Sequence, residues 1–139
     1  MDMKKDFHVC LDNLATHSHC SLLHGYALSF SFKFGCDNLD DKNWVVDFGN
    51  LKALKQWLKD SFDHKHAVDK DDPEIKTFLK LEEQGLSEVV VMNGVGCEKF
   101  AEQAFHYADE LVHQLTDGRC FCVSCEVREH GANSAIYEG

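Results

Sequence analysis

The stretch A-L-S-F-S-F-K-F, residues 27–34, decides the fold because its apolar and polar side chains alternate without a break. Every second position holds a large apolar residue: Leu28, Phe30, Phe32 and Phe34. Successive side chains of a strand point to opposite faces of a sheet, so a period of two predicts a strand with one buried and one polar face. The apolar face of such a sheet must be covered by another layer.

The segments around this strand predict the covering layer. Residues 7–13 repeat the period of two and indicate a partner strand. Asp47 is expected to cap a helix that begins at Phe48, and a second helix is expected from about Glu98 to Leu115. Their apolar stripes are Phe48, Leu51, Leu54 and Leu58 in the first, and Phe100, Ala104, Ala108, Leu111 and Leu115 in the second.

The remaining apolar runs predict short strands. Residues 88–92 indicate a buried or edge strand, and the last twenty residues indicate two strands joined by His130, Gly131 and Ala132. The order of hairpin, two helices and hairpin predicts an α+β fold with a four-stranded antiparallel sheet and both helices on one face. With 139 residues, one domain over residues 1–139 is expected.

Composition excludes several classes of function. A formal charge of −10 argues against a nucleic-acid surface, which needs clustered Lys and Arg. No apolar run reaches the ~20 residues that cross a bilayer, and no signal-peptide core follows the first charges. The seven cysteines are therefore expected to be reduced thiols in a soluble, cytoplasmic protein that does not bind membranes.

The segment C-S-L-L-H-G-Y, residues 20–26, is the first candidate site. Cys20 and three histidines, His17, His19 and His24, lie within thirteen residues, and imidazole is a preferred ligand of Zn²⁺. Two residues on one face of a strand can reach the same ion. The alternatives are that Cys20 is a small core residue and that the histidines belong to a solvated loop.

Two further positions carry chemistry. Asp63 and His64, just after the first helix, offer the carboxylate and imidazole from which proton relays are built. The alternative is that they form a polar helix end, with the histidine near the negative end of the helix dipole. Glu129 shares the parity of Val123, Cys125 and Val127, which indicates an inward carboxylate that needs a partner or a ligand's donors.

The cysteines near the C-terminus allow a metal site or a set of buried small residues. On a regular strand Cys120 and Cys122 share one face and Cys125 points to the other, so the three thiols cannot close on one ion without a bend. The second interpretation, buried small residues, is therefore favoured.

Taken in order, five motifs resemble the family of 6-pyruvoyl-tetrahydropterin synthase and 6-carboxy-5,6,7,8-tetrahydropterin synthase. Residues 20–25 match its C-x-x-x-H-G, residues 44–52 (W-V-V-D-F-G-N-L-K) its M-V-x-D-F-x-x-L-K, and residues 62–65 its L-D-H-K. Residues 97–101 (C-E-K-F-A) lie at its P-T-x-E-N-x-A, and residues 127–137 (V-R-E-H-G-A-N-S-A-I-Y) match its terminal V-x-E-T…Y. The resemblance covers nearly the whole chain, and the gap between Cys20 and His24 is similar to that of the queuosine-pathway branch.

The resemblance implies the tunnelling fold, with subunits assembled into barrels as trimers or hexamers and with sites at subunit boundaries. It implies a zinc-dependent lyase that converts 7,8-dihydroneopterin triphosphate to a carboxy-tetrahydropterin, acetaldehyde and triphosphate. Cys20 is then the base, Asp63 and His64 are the relay, and Glu129 and Glu98 bind the pterin.

The same comparison implies a changed metal site. Tyr26 stands at the position of a family zinc histidine, and a phenol, with a pKa near ~10, is a poor ligand at neutral pH. The first ligand position falls on Asn13 in one alignment and on His17 in the other. Zinc held by His24 with His17 or His19 is expected for an active enzyme, and a zinc-poor or inactive member that binds a pterin- or purine-like ligand is the alternative.

Overall fold

Two long strands dominate the chain. The computed structural model describes the backbone of residues 3–17, 20–129 and 133–139, and their side chains except at positions 3, 12–17, 20–24 and 26. Strands β1 (Met3–His17) and β2 (Cys20–Cys36) pair antiparallel. The alternation in β2 is confirmed, because Leu28 is 1% exposed and the next three phenylalanines on its face are completely buried. Burying one Phe side chain contributes about 1.5–3 kcal/mol, so this strand is central to the core.

The predicted first helix begins as a 3-10 turn. Asp47 caps it as expected, because its side chain accepts a hydrogen bond of 2.8 Å from the Gly49 N–H. The turn covers Phe48–Leu51 and leads into helix α1 (Lys52–Phe62). Phe48 is 50% exposed and lies against Phe7, 6.2 Å between ring centroids, so the predicted stripe loses its first member. The buried face consists of Leu51, Leu54, Leu58 and Phe62.

The second predicted helix is confirmed as α3 (Cys97–Leu115). Phe100, Ala104 and Ala108 are fully buried as expected, but Leu115 at the last turn is 44% exposed. The Phe62 and Phe100 rings meet edge to face at 5.0 Å, which locks α1 and α3 together over the sheet. None of the helices in the described part of the chain has the length and apolar character needed to cross a bilayer.

Short elements extend the sheet at one edge. The segment between α1 and α3 contains β3 (Lys65–Asp69), α2 (Ile75–Glu83) and β4 (Val89–Met92). The sequence predicted β4 but neither β3 nor α2. Strand β3 pairs parallel with β1, and β4 pairs parallel with β3.

The four-stranded antiparallel part is the one predicted. Strand β5 (Cys120–Glu129) pairs with β2, and β6 (Asn133–Glu138) pairs with β5. The described residues form one sheet in the order β4-β3-β1-β2-β5-β6, with α1 and α3 packed on its apolar face. The α+β class is confirmed, and residues 130–132, predicted to join β5 and β6, lie outside the described residues.

A β-bulge corrects the expected orientation of the C-terminal cysteines. Lys33 pairs with Ser124 but the next residue, Phe34, pairs with Cys122, so Val123 is an extra residue on β5. One extra residue reverses the alternation on one side of the bulge. Cys122 and Cys125 are therefore both buried, at 4% and 0% exposure, and the prediction that they face opposite sides is wrong.

These thiols lie in an apolar core. Cys120 is also fully buried, and Cys36 pairs with it across β2 and β5. Burial raises the pKa of Cys120 to about 11 and that of Cys122 to about 12, and it also raises the pKa of Cys125. Protonated thiols with such pKa values behave as small hydrophobic groups rather than as nucleophiles or metal ligands.

Candidate active site

The predicted site residues gather at one end of the sheet. Two rows run across β3, β1 and β2 there: Lys65 with Asn13 and Tyr26, and Ala67 with Ala15 and His24. Strand β5 lies on the other side of β2, where Glu129 pairs with Leu28. Lys65 and Glu129 are three strand spacings apart across the sheet, about 14 Å, and their rows, those of Tyr26 and Leu28, are two residues apart along β2. The residues before Lys65 and the carboxylate of Glu129 therefore flank the C-S-L-L-H-G-Y segment from opposite sides.

Asp63 and His64 form a contact pair between α1 and β3. The Asp63 N–H bonds to the carbonyl of Lys59 and ends the helix. His64 then adopts a left-handed backbone with φ of 56°, which is uncommon for a residue other than glycine. In this geometry Nδ1 of His64 lies 3.0 Å from Oδ1 of Asp63. The two adjacent side chains are therefore in contact, as a relay requires.

The exposure of the two partners differs. The Asp63 side chain is 28% exposed, whereas that of His64 is 77% exposed. A carboxylate accepts from the Nδ1–H of a neutral imidazole, which leaves Nε2 as the acceptor.

Lys65, the basic residue nearest to this pair in sequence, is engaged by another residue. Its ammonium group bonds to the carboxylate of Glu88, and this hydrogen bond raises the pKa of Lys65 above its ordinary value.

The metal-ligand positions are defined by backbone register. His24 pairs with Ala15, and Tyr26 pairs directly with Asn13. After an irregularity in β1 and β2, His17 pairs with Cys20. Between these two rows β1 advances by two residues and β2 by four, and the row of Tyr26 contains a phenol and an amide.

The predicted metal ligands lie in the part of the chain whose side chains are not described. The side chains of His17, His24 and Tyr26 lie outside the described residues, as does all of His19. Among the side chains that are described, no group of three or more His, Cys, Asp or Glu is arranged to hold a metal ion. Cys20, the predicted base, begins β2, and its side chain too is outside the described residues.

Glu129 is half-buried and has a neutral hydrogen-bond partner. The Nδ2 group of Asn133, its partner on β6, lies 3.5 Å from its Oε1 atom. Burial raises the pKa of the Cys97 thiol, at the start of α3, to about 12, and the carboxylate of Glu129 adds to this effect. Parity with Cys125 and Val127 is confirmed, because both are fully buried, but the bulge takes Val123 out of this set.

The N-terminus of α3 adds a second carboxylate near Glu129. Gly96, with φ of 113°, precedes the helix, and Glu98 lies in its first turn. An acidic side chain is stabilised there by the helix dipole. Glu98 is exposed, as a ligand-binding residue at the surface must be.

Sequence reasoning missed the contribution of Cys97 and Asn133. The sequence identified both residues only as parts of the family motifs. Their positions near Glu129 result from the pairing of β5 with β6 and from the packing of α3 on β5, which a single segment does not reveal. Asn133 had a local signal, since it lies four residues after Glu129 across a predicted turn. Cys97 had none, because its contact with Glu129 depends on tertiary packing.

A family model described as 6-pyruvoyl tetrahydropterin synthase matches residues 3–139. A 6-carboxy-5,6,7,8-tetrahydropterin synthase from Rickettsia bellii is 30% identical over 106 residues, which cover 76% of this chain and 74% of that protein. One from Helicobacter pylori is 27% identical over 93 residues, 66% of this chain and 46% of that protein.

Solved structures share the fold. An uncharacterised protein from Wolinella succinogenes superposes with a TM-score of 0.87 at 16% identity, covering 100% of this chain and 99% of that one. A 6-pyruvoyltetrahydropterin synthase from Plasmodium vivax, altered at a catalytic residue, superposes with a TM-score of 0.72 at 13% identity, covering 100% and 98%. These likenesses confirm the tunnelling fold.

Proposed function

Because the chain belongs to the 6-pyruvoyl tetrahydropterin synthase family, we propose that it is a lyase of the 6-carboxy-5,6,7,8-tetrahydropterin synthase type. Its substrates are 7,8-dihydroneopterin triphosphate and water, and its products are the carboxy-tetrahydropterin, acetaldehyde and triphosphate. The proposal places it in the cytoplasm, in the queuosine or a related 7-deazaguanine pathway. In this proposal the protein also forms trimers or hexamers, in which the sheets of the subunits close into a barrel and the sites lie at subunit boundaries.

The observation that carries this proposal is the Asp63–His64 contact of 3.0 Å beside the strand pair that contains Cys20 and His24. A relay needs a carboxylate that orients the imidazole, and the half-buried Asp63 supplies it. The left-handed backbone at His64 is a conformation of higher energy, and such conformations concentrate at functional sites.

The donor set of the strand pair fits two histidine ligands for zinc. His17 and His24 lie on the two strands of this pair, on either side of the register irregularity, and in this proposal both imidazoles bind one zinc ion. His19 is the third ligand in this proposal. Zinc bound there supplies Lewis acidity toward an oxygen of the substrate side chain.

The protein's own residues bind the pterin and move the protons. Glu129 accepts hydrogen bonds from the amino group and the ring N–H of the pterin, and Glu98 lies at the rim of the same pocket. The thiolate of Cys20 removes a proton from the substrate carbon. Nε2 of His64 exchanges a proton at the other side, while Asp63 holds the ring and stabilises its cationic form.

Turnover of purified protein tests the proposal. With 7,8-dihydroneopterin triphosphate and zinc supplied, we expect release of acetaldehyde, and we expect Cys20→Ser to abolish it. Cys10→Ser is the matched control, because Cys10 is an exposed free thiol on β1 away from this end. Absence of turnover in the zinc-loaded wild-type protein contradicts the proposal.

A second candidate function is pterin or purine binding without zinc. It is favoured by one observation: Tyr26, at a family ligand position, is paired with Asn13, which is at another in one of the two alignments, and neither offers an imidazole. Metal analysis of untagged protein separates the two functions. One zinc per chain, lost in His24→Ala but kept in the exposed helix variant His113→Ala, contradicts the second candidate.

A further inference from the structure

Helix α2 covers the face of β3 that points away from the main core. Ala67, in the middle of β3, belongs to the hydrophobic core under α1 and α3. Its neighbours His66 and Val68 are buried just as fully, at 1% and 0% exposure, but lie outside that core. Successive residues of a strand point to opposite faces, and the Phe78 ring of α2 meets the His66 ring edge to face at 4.7 Å. A second, smaller layer is therefore built on this edge of the sheet.

This layer is weakly attached. Every residue of α2 keeps part of its surface exposed, and its apolar positions at helical spacing, Ile75, Phe78 and Leu81, are only half-buried. The Glu82 carboxylate ties the helix to β4, because it accepts a hydrogen bond of 2.6 Å from the Val89 N–H. A segment with so few buried apolar contacts opens at a lower free energy than the core of the protein.

The imidazole of His66 is enclosed in this layer. Neither of its ring nitrogens has a hydrogen-bond partner among the described residues, nor does the buried hydroxyl of Ser87, just before β4. Burying a charge without a partner costs far more free energy than burying a neutral ring. The layer therefore accepts the neutral imidazole and disfavours the imidazolium, and burial accordingly lowers the pKa of His66.

The charged groups around the ring do not remove this penalty. Asp72, in the turn between β3 and α2, opposes the lowering of the pKa of His66 but does not reverse it. All the charged residues of α2 are exposed, and Glu82 among them is bonded to the backbone of β4. Just before β4, Glu88 forms an ion pair with the first residue of β3, and β1 places Leu14 at the position paired with His66. Protonation in the closed layer thus leaves a charge without a hydrogen bond in the described part of the chain.

We propose that α2 is an acid-released cover, which the neutral His66 ring keeps on the sheet and which opens when this ring takes up a proton. Opening affects the candidate site through β3, because this strand begins directly after His64 and pairs with β1 at three residues. Once β3 loses the cover of one face, the segment that holds the relay becomes mobile, and the relay is switched off while the core stays folded. This consequence for catalysis rests on the proposed function, whereas the release of α2 does not.

Amide hydrogen exchange, followed by mass spectrometry, tests the release in the ligand-free protein at about pH 7.5 and about pH 5, where most carboxylates stay ionised. Rates are corrected for the intrinsic exchange rate at each pH. The open state restores an ordinary pKa near 6.5, so the protection of the α2 peptide should fall by about ten- to thirtyfold at the lower pH. The β3 peptide should follow α2, and the α3 peptide should keep its protection.

Two variants assign the effect to one imidazole. His66→Leu should remove the loss of protection in α2, because leucine has no proton to take up. His113→Leu is the matched control, since His113 is an exposed histidine on α3, and it should show the same loss as the wild type. The wild-type comparison of α2 with α3 needs no substitution and decides the question even if His66→Leu fails to fold.

The remaining outcomes contradict the inference. Equal losses of protection in α2 and α3 mean that the whole domain unfolds, and unchanged protection of α2 means that no release occurs. The wild-type loss persisting in a folded His66→Leu variant assigns the effect to other groups and overturns the role of His66. A wild-type protein that releases α2 at acidic pH but produces no acetaldehyde at about pH 7.5 contradicts the proposed function alone.

Discussion

Replacing His64 with asparagine separates its backbone conformation from its chemistry. Asparagine tolerates the left-handed region better than most residues, so the φ of 56° at this position is kept without added strain. The contact with Asp63 involves a side chain that is 77% exposed, and such pairs contribute no more than about 1 kcal/mol. The free energy of unfolding of His64→Asn should therefore stay within about 1 kcal/mol of wild type.

Activity should respond very differently. A positioned general acid or base contributes about 10²- to 10⁴-fold, so kcat for acetaldehyde release is expected to fall by that factor. Urea unfolding and steady-state kinetics are measured on the same preparations. His113→Asn, an exposed substitution on α3, is the matched control and should retain full activity. If His64→Asn keeps more than about a tenth of the wild-type kcat, well above that range, His64 does not carry the proton.

Three further predictions concern stability. His66 is 1% exposed, neither ring nitrogen has a hydrogen-bond partner among the described residues, and burial lowers its pKa below 6.5, with Asp72 opposing this effect. The free energy of unfolding should be highest above about pH 6.5 and should fall as the pH decreases toward the lowered pKa of His66. The slope, measured by urea titrations, should reach up to about 1.4 kcal/mol per pH unit, and His66→Leu should remove it. Asp47→Ala should lose about 1 kcal/mol by urea unfolding, because it removes the cap on the Gly49 N–H, and an equal midpoint in both proteins refutes this role. Arg119→Met should lose about 2 kcal/mol in thermal unfolding, because the guanidinium bonds to the carbonyls of Asn38 and Val45, while Arg128→Met, at an exposed surface pair, should lose less than about 1 kcal/mol.

The elements that sequence reasoning placed well have strong local signals. Strand β2 alternates over its whole core segment, and the boundaries of α3 were predicted within one residue. Strand β3 has no such signal, since Lys65–Asp69 is short and is held by parallel pairing with β1. Helix α2 buries none of its residues, so the apolar stripe that identifies a helix is weak there.

In the candidate site, the identity of the residues has a local signal in the sequence, whereas their contacts do not. Asp63, His64 and Glu129 were identified from residue type and position, because each is a polar residue next to an element whose period is clear. The contact geometry at His64 depends on a left-handed backbone that residue type does not specify. The partners of Glu129 come from β6 and α3, so only the pairing of distant segments reveals them.

The sequence by itself determined the α+β class, the buried face of β2, the Asp47 cap and the residues able to carry chemistry, because all of these follow from periodicity and residue type over a few neighbours. Tertiary structure decided the face of Cys122, the position of β3 and the surroundings of Glu129. A single unpaired residue, Val123, is enough to reverse the alternation of a strand, and its position depends on register with β2 rather than on β5 alone. Register is a property of two strands, and for that reason one strand's sequence does not contain it.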